Sequence, residues 1–274
     1  MAVRAAAVAG LFYPRESREL SRSIQAMFAD ATQGDPRLRP PKALIVPHAG
    51  YPYSGPIAAS AYAPLGCLRG IIQRVVVLGP AHHVAVAGLA LPGAAAFDTP
   101  LGRVPVDGAA VDLLRPLPMV TTSPAAHARE HSIEVQLPFL QQVFGAFQLV
   151  PLAVGRATAE AVAEVLELLW GGLETLIVVS SDLSHYLPYD HAQDLDRRTC
   201  ADISDLALLA SHEQACGATA VNGLLLAARR HQLRPHLLDL RNSGDTAGDR
   251  DRVVGYAAFA FIPEAAHDPA THTP

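Results

Sequence analysis

Five continuous apolar runs constrain this chain more than any other feature: "ALIV" at 43–46, "VVVL" at 75–78, "FQLVPLAV" at 147–154, "TLIVVS" at 175–180 and "VVGYAAFAFI" at 253–262. They lack the apolar–polar alternation of a strand with one wet face, so each reads as a strand covered on both faces. Such strands need helices above and below them. Helical patterns lie between the runs. Leu20, Ile24, Met27 and Phe28 recur at helical spacing. "AEAVAEVLELLWGGL" at 159–173 is rich in helix formers and stops at Gly171 and Gly172. Ile203–Leu209 and Ala220–Arg230 have similar patterns. The expectation is a single-domain, three-layer α/β/α sandwich over residues 1–265 with a mainly parallel or mixed central sheet. Residues 266–274 read as a flexible tail.

Three of the runs end in the same way. "ALIVPHAGYPYSG" delivers His48 and Tyr51, "VVVLGPAHH" delivers His82 and His83, and "TLIVVSSDLSHY" delivers Asp182 and His185. In an open α/β sheet, ligands bind beyond the carboxyl ends of the strands. Neighbouring parallel strands would therefore bring these histidines to one site. Adjacent residues of an extended loop point opposite ways, so one of His82 and His83 is expected to face it. His127, His191, His212, His231, His236, His267 and His272 lack this placement and are assigned to the surface or to supporting positions. In "AREHSIEVQLPFL", Glu130 and Glu134 are four apart and are expected on one face of a helix starting near Ser132, with Glu130 and His131 capping it or supporting a metal-binding histidine. Cys216 stands at the mouth of the Ala220 helix, where a helix N-terminus would lower its pKa and expose it.

Composition removes several function classes. Of 274 residues, 17% are charged and the formal net charge is -5, which gives no basic face for nucleic acid. The Arg15, Arg18 and Arg22 cluster is interleaved with Glu16 and Glu19 and reads as a solvated helix face. Three cysteines make no disulfide framework and suit a reducing cytoplasm. The uncharged stretch Val135–Gly155 is broken by Pro138, Gly145 and Pro151, so it is not read as a membrane span. No arginine lies in the His48, His82 or His185 loops, which weighs against phosphate capture there.

The motifs "AGLFYP", "VPHAGYPYSG", "LGPAHH", "TPLG", "EHSIEVQLPFL", "SSDLSHY", "CGATAVNGLL" and "NSGDTAGDRDRVVGYAAFAF" follow one another from Val8 to Ile262 in the order of the Memo protein family. That family includes protein B of the AMMECR1–Memo–radical-SAM system. The resemblance implies a fold similar to the LigB-type extradiol non-haem iron dioxygenases, whose Fe(II) is held by two histidines and a glutamate. It puts the metal ligands at His48, His82 and Cys216, with the cysteine where those enzymes have a carboxylate. It places His185 next to the metal with Asp182 beside it. In the oxidoreductase reading His185 is the general acid/base, tuned by Asp182, and His83, Glu130, His131 and Tyr51 are expected as supporting residues. Fe(II) is the expected metal, with Cu or Zn as alternatives, because a thiolate is a softer ligand than a carboxylate. The expected function is a metal-dependent oxidoreductase acting with AMMECR1-like and radical-SAM partners. A peptide- or small-ligand-binding protein and a metal-dependent hydrolase remain the other readings.

Overall fold

The computed structural model describes residues 2–31 and 39–264; the expected tail lies outside them, as do His267 and His272. In chain order the strands are β1 (Val3–Arg4), β2 (Ala43–Val46), β3 (Arg74–Pro80), β4 (Leu89–Leu91), β5 (Ala96–Thr99), β6 (Gly102–Pro105), β7 (Val120–Thr122), β8 (Gln148–Val154), β9 (Thr175–Ser180), β10 (His185–Leu187), β11 (Leu233–Asn242) and β12 (Val253–Pro263). The α-helices are α1 (Ser17–Asp30), α2 (Tyr51–Tyr62), α3 (Gly108–Leu114), α4 (Pro124–Ala128), α5 (Leu137–Phe144), α6 (Ala159–Leu169), α7 (Tyr189–Ser204) and α8 (Ala218–Arg230).

Nine strands form one mixed sheet in the order β10-β12-β2-β9-β3-β8-β4-β7, with β11 added along β12. Its centre is parallel: β2 pairs β9, β9 pairs β3 and β3 pairs β8. β12 is antiparallel to β2, and β4 is antiparallel to β8. A second, three-stranded sheet has the order β1-β5-β6.

The period-two alternation of side chains splits each central strand between two cores. Leu44, Val46, Val75, Val77, Leu176 and Val178 face one core, with Leu20 and Ile24 of α1, Ile57 and Tyr62 of α2, and Leu140 of α5. Ala43, Ile45, Val76, Leu78, Ile177 and Val179 face the other, with Val162 and Leu166 of α6, Cys200 and Ile203 of α7, and Leu224 of α8. Three layers result. No helix among the described residues is long and apolar enough to cross a membrane.

Two local features differ from what residue propensities suggest. The "HAGYPYSG" segment turns only as far as Gly50; from Tyr51 it is helix α2, despite Pro52 and Pro56. Pro52 falls in the first turn, where its missing N–H costs nothing. Gly55 lies at the α1 crossing, where an added Cβ would lie 2.5 Å from Met27 Sδ and the Met27 side chain would have to shift. The helix expected over Ile203–Leu209 is instead the end of α7 at Ser204, followed by Leu206 at φ +58°. A left-handed residue cannot continue a right-handed helix.

Candidate metal centre

The strands that carry the three histidine loops are neighbours in the order β2-β9-β3 and run parallel. Their carboxyl ends therefore open into one cleft of about 600 Å³, lined by His48, His82, Asp182 and His185. A fourth segment, residues 130–136, crosses the same end. Ser132 Oγ donates to Pro80 O at 3.0 Å, an approach that requires Gly79. An added Cβ there would lie 2.4 Å from Ser132 Oγ. This segment brings His131 into the cleft, with its ring stacked on His82 at 4.7 Å between centroids and 18° between planes.

The hydrogen bonds fix the tautomers. Ser180 Oγ has one proton, given to Ser132 O at 2.6 Å, and it also accepts from Gln136 Nε2 at 2.8 Å. Its contact with His48 Nδ1 at 3.0 Å must therefore be accepted from His48, which leaves Nε2 with a free lone pair. His82 Nδ1 faces Glu130 Oε1 at 2.9 Å, and His185 Nδ1 donates to Leu183 O at 2.8 Å. In all three rings Nδ1 is held by a protein acceptor and Nε2 is presented. This is how imidazole ligands are oriented at metal sites.

The charges follow from burial and partners. Burial, with His82 second, pushes His48 down to about 3. Burial, then His48, pushes His131 down to about 4. Both are neutral, lone-pair-bearing rings near pH 7. Burial opposes the Glu130 charge, but the hydrogen bond and charge of His82 with the amides of Ser132 and His82 hold it well below the usual carboxylate range. Glu130 Oε2 accepts from His82 N at 2.6 Å, and Oε1 also accepts from Ser132 N at 3.0 Å. Asp182 is raised by burial, and its Oδ1 accepts from His48 N at 2.7 Å. It orients His48 and makes no hydrogen bond to His185.

His48, His82 and His131 offer ligand atoms that all lie within 4.8 Å of one another. A tetrahedral site with bonds of about 2.1 Å has edges of about 3.4 Å, so the three ligand atoms would draw closer to share one ion. Three imidazoles are a donor set that a transition-metal ion fits. Cys216 does not line the cleft. Its Sγ lies 3.3 Å from His48 Nε2, 3.7 Å from Asp182 O and 3.8 Å from Ser181 Oγ. The expected low thiol pKa is absent. α8 begins two residues later, and burial, then Asp182, pushes the thiol up to about 12.

The supporting residues are placed as follows. Glu130 and Glu134 do not share a helix face, because α5 starts only at Leu137 and the intervening turn at Glu134–Gln136 is a 3-10 helix. Glu130 points to His82, while Glu134 is buried on the opposite side and accepts from Arg4, Ala7 N, Val8 N and Tyr13 Oη. Tyr51 packs between Tyr13 and Phe139 and donates to Val135 O at 2.8 Å. His83 is exposed, with its ring edge-on to His131 at 6.1 Å. His127 is fully buried and bonded to Ala90 O at 2.7 Å, so it is a core residue. Phe12, Tyr53, Tyr186, Tyr256 and Arg252 also line the cleft; Tyr53 and Tyr186 lie in the segments that follow β2 and β9, whereas Phe12, Tyr256 and Arg252 were not singled out from the sequence. Phe12 sits in "AGLFYP" and Arg252 in the "NSGDTAGDRDR" stretch, so the family motifs were the available signal for both.

A sequence profile of the family described as Memo-like protein matches residues 4–260. A MEMO1 family protein of Sulfolobus acidocaldarius is 36% identical over 94% of this chain and 99% of its own length. One from Aquifex aeolicus is 34% identical over 96% of this chain and 100% of its own. The crystal structure of an uncharacterized protein, JW3007, from Escherichia coli K12 shares the fold, with a TM-score of 0.53 at 18% identity over 81% of this chain and 99% of that one.

Proposed function

This chain belongs to the family of Memo-like proteins, and from that premise we propose that its imidazole cleft is the metal centre of an oxidoreductase that acts on a small molecule. The observation that carries the reading is the shared Nδ1 anchoring of His48 and His82, together with the gathering of ligand atoms of His48, His82 and His131 within 4.8 Å of one another. His48 and His82 are the constant ligands. His131 completes the set in the cleft, and Cys216, in contact with His48, is the alternative third ligand. Fe(II) is the proposed ion, and copper or zinc suits the same donors. When bound, the ion supplies Lewis acidity and electron transfer.

The remaining steps belong to the chain. His185, with Nδ1 donating to Leu183 O, turns Nε2 to the cleft as the group that takes a proton from a substrate hydroxyl or water there. Asp182 holds His48 in place through its backbone amide. Phe12, Tyr53 and Tyr256 shield the centre and give a planar substrate an apolar surface. The same proposal takes AMMECR1-like and radical-SAM proteins as partners, tested by co-purification.

The test is anaerobic purification and elemental analysis of wild type, His48→Ala, His82→Ala, His131→Ala and Cys216→Ser. Stoichiometric metal in wild type that is lost in the first two variants supports the centre. Of the last two, the one that loses metal identifies the third ligand. Full occupancy in His48→Ala would move the reading to a binding protein without a metal.

A further inference from the structure

The loop before β12 sends one cation to the cleft. Among the described residues lining it, Arg252 is the only arginine or lysine. Its guanidinium carbon lies 5.1 Å from the centre of the Tyr186 ring, and that ring stands edge-on to His185 at 5.8 Å and 72°. Tyr186 is an exposed tyrosine at φ +57°. It sits where the β10–β12 pairing shifts register between His185 and Leu187. A left-handed, non-glycine residue is strained and persists where the surroundings impose it, often at functional sites. Here it turns the ring out of the ladder and beneath Arg252.

The guanidinium is otherwise uncommitted: it makes no hydrogen bond or ion pair to any described residue. The acid beside it, Asp249, also lines the cleft, but its Oδ1 is taken by the amides of Asp251 and Arg252 at 3.1 and 3.4 Å. A planar cation stacked on an aromatic ring keeps its N–H edge free for an oxyanion, which a guanidinium binds through paired hydrogen bonds.

We infer that Arg252, on its Tyr186 platform, is the anion-recognition element of the cleft, and that the cleft takes a small carboxylate-bearing molecule with its acid group at Arg252 and its other end at the histidines. This rests on the cleft being a substrate site, as proposed above, and adds the chemical class of the substrate. The cleft volume of about 600 Å³ suits a small molecule.

The test uses benzoate and its uncharged isostere benzamide, titrated calorimetrically into the full-length protein with and without Zn²⁺. Benzoate is expected to bind wild type at least about 10-fold more tightly than benzamide. Arg252→Gln is expected to weaken benzoate roughly 10–100-fold and leave benzamide unchanged, with Arg252→Lys recovering part of the loss. The Zn²⁺ affinity of Arg252→Gln should equal that of wild type, which separates anion recognition from the metal centre. Equal binding of acid and amide, no benzoate binding at millimolar concentration, or unchanged benzoate affinity in Arg252→Gln would each overturn the assignment. Failure of wild type to bind Zn²⁺, with the benzoate pattern intact, would overturn the metal centre and leave Arg252 as an anion site.

Discussion

Replacing Glu134 by Gln tests the buried clamp behind the site. The carboxylate has four donors on two oxygens. Oε2 takes Arg4 Nη1 and Ala7 N, and Oε1 takes Val8 N at 3.0 Å and Tyr13 Oη at 2.5 Å. A glutamine can keep Oε1 on Val8 and Tyr13, but its NH₂ then faces two donors. One charge-assisted bond is lost, worth roughly 1.5–3 kcal/mol, together with one neutral bond of about 1 kcal/mol. Arg4, almost wholly buried, also loses its counter-charge, although the carbonyls of His127 and Glu130 still accept from it at 2.9 and 2.6 Å. Those carbonyls limit the total to about 3–4 kcal/mol, within the range for breaking a buried pair. At about 2–4 °C per kcal/mol for a chain of this size, Tm falls by roughly 6–16 °C. Urea unfolding should show a lower midpoint with an unchanged slope. The double variant Arg4→Met, Glu134→Gln should recover part of the loss, because no unpaired guanidinium remains. A loss below about 1 kcal/mol, or a double variant no better than the single one, would refute the reasoning.

Glu130→Gln removes the charge behind His82 and should weaken Zn²⁺ about 10–100-fold without abolishing binding, whereas His82→Ala abolishes it; calorimetric titration decides, and reversed effects would exchange the roles. Burial pushes the Asp196 carboxyl up to about 6, so between pH 4 and 6 the folded state holds more protons than the unfolded one. Stability is therefore lost as pH rises through that window, by about 2–3 kcal/mol from this group, and Asp196→Asn should show a flatter profile there in urea titrations. Iodoacetamide should label exposed Cys67 first, with Cys200 and Cys216 slow because burial raises both thiols; fast labelling of Cys216 would contradict its surroundings.

The central fold was legible because β2, β3 and β9 are buried on both faces, and that condition writes itself as unbroken apolar runs. His48, His82 and His185 were legible because each follows such a run. Helix α2 was hidden because Pro52, Gly55 and Pro56 carry poor helix propensity, and packing against β12 and α1 overrides it. The division of Glu130 from Glu134 was hidden because it depends on where α5 begins. Gly79 and Ser132 settle that by long-range contact, and a local period does not report it. The Cys216 thiol was misjudged for a related reason: a helix terminus is visible in sequence, whereas the burial that outweighs it is not. Arg252 lies outside the three histidine loops, and only the pairing of β10 with β12 brings it to them.

The Arg4–Glu134 pair spans 130 residues of chain, which has a consequence for biosynthesis. At roughly 5–20 amino acids per second, Arg4 is added to the chain about 6–26 seconds before Glu134 is. During that interval Arg4, Tyr13 and Phe12 have no partner on the segment that later holds them. The same 130–136 segment brings His131 to His82, so closing the amino-terminal strap and completing the imidazole set are one late event in the life of the nascent chain. An ion offered earlier would meet His48 and His82 without the third ring. Metal loading is therefore expected to follow, and never to lead, synthesis of the middle of the protein.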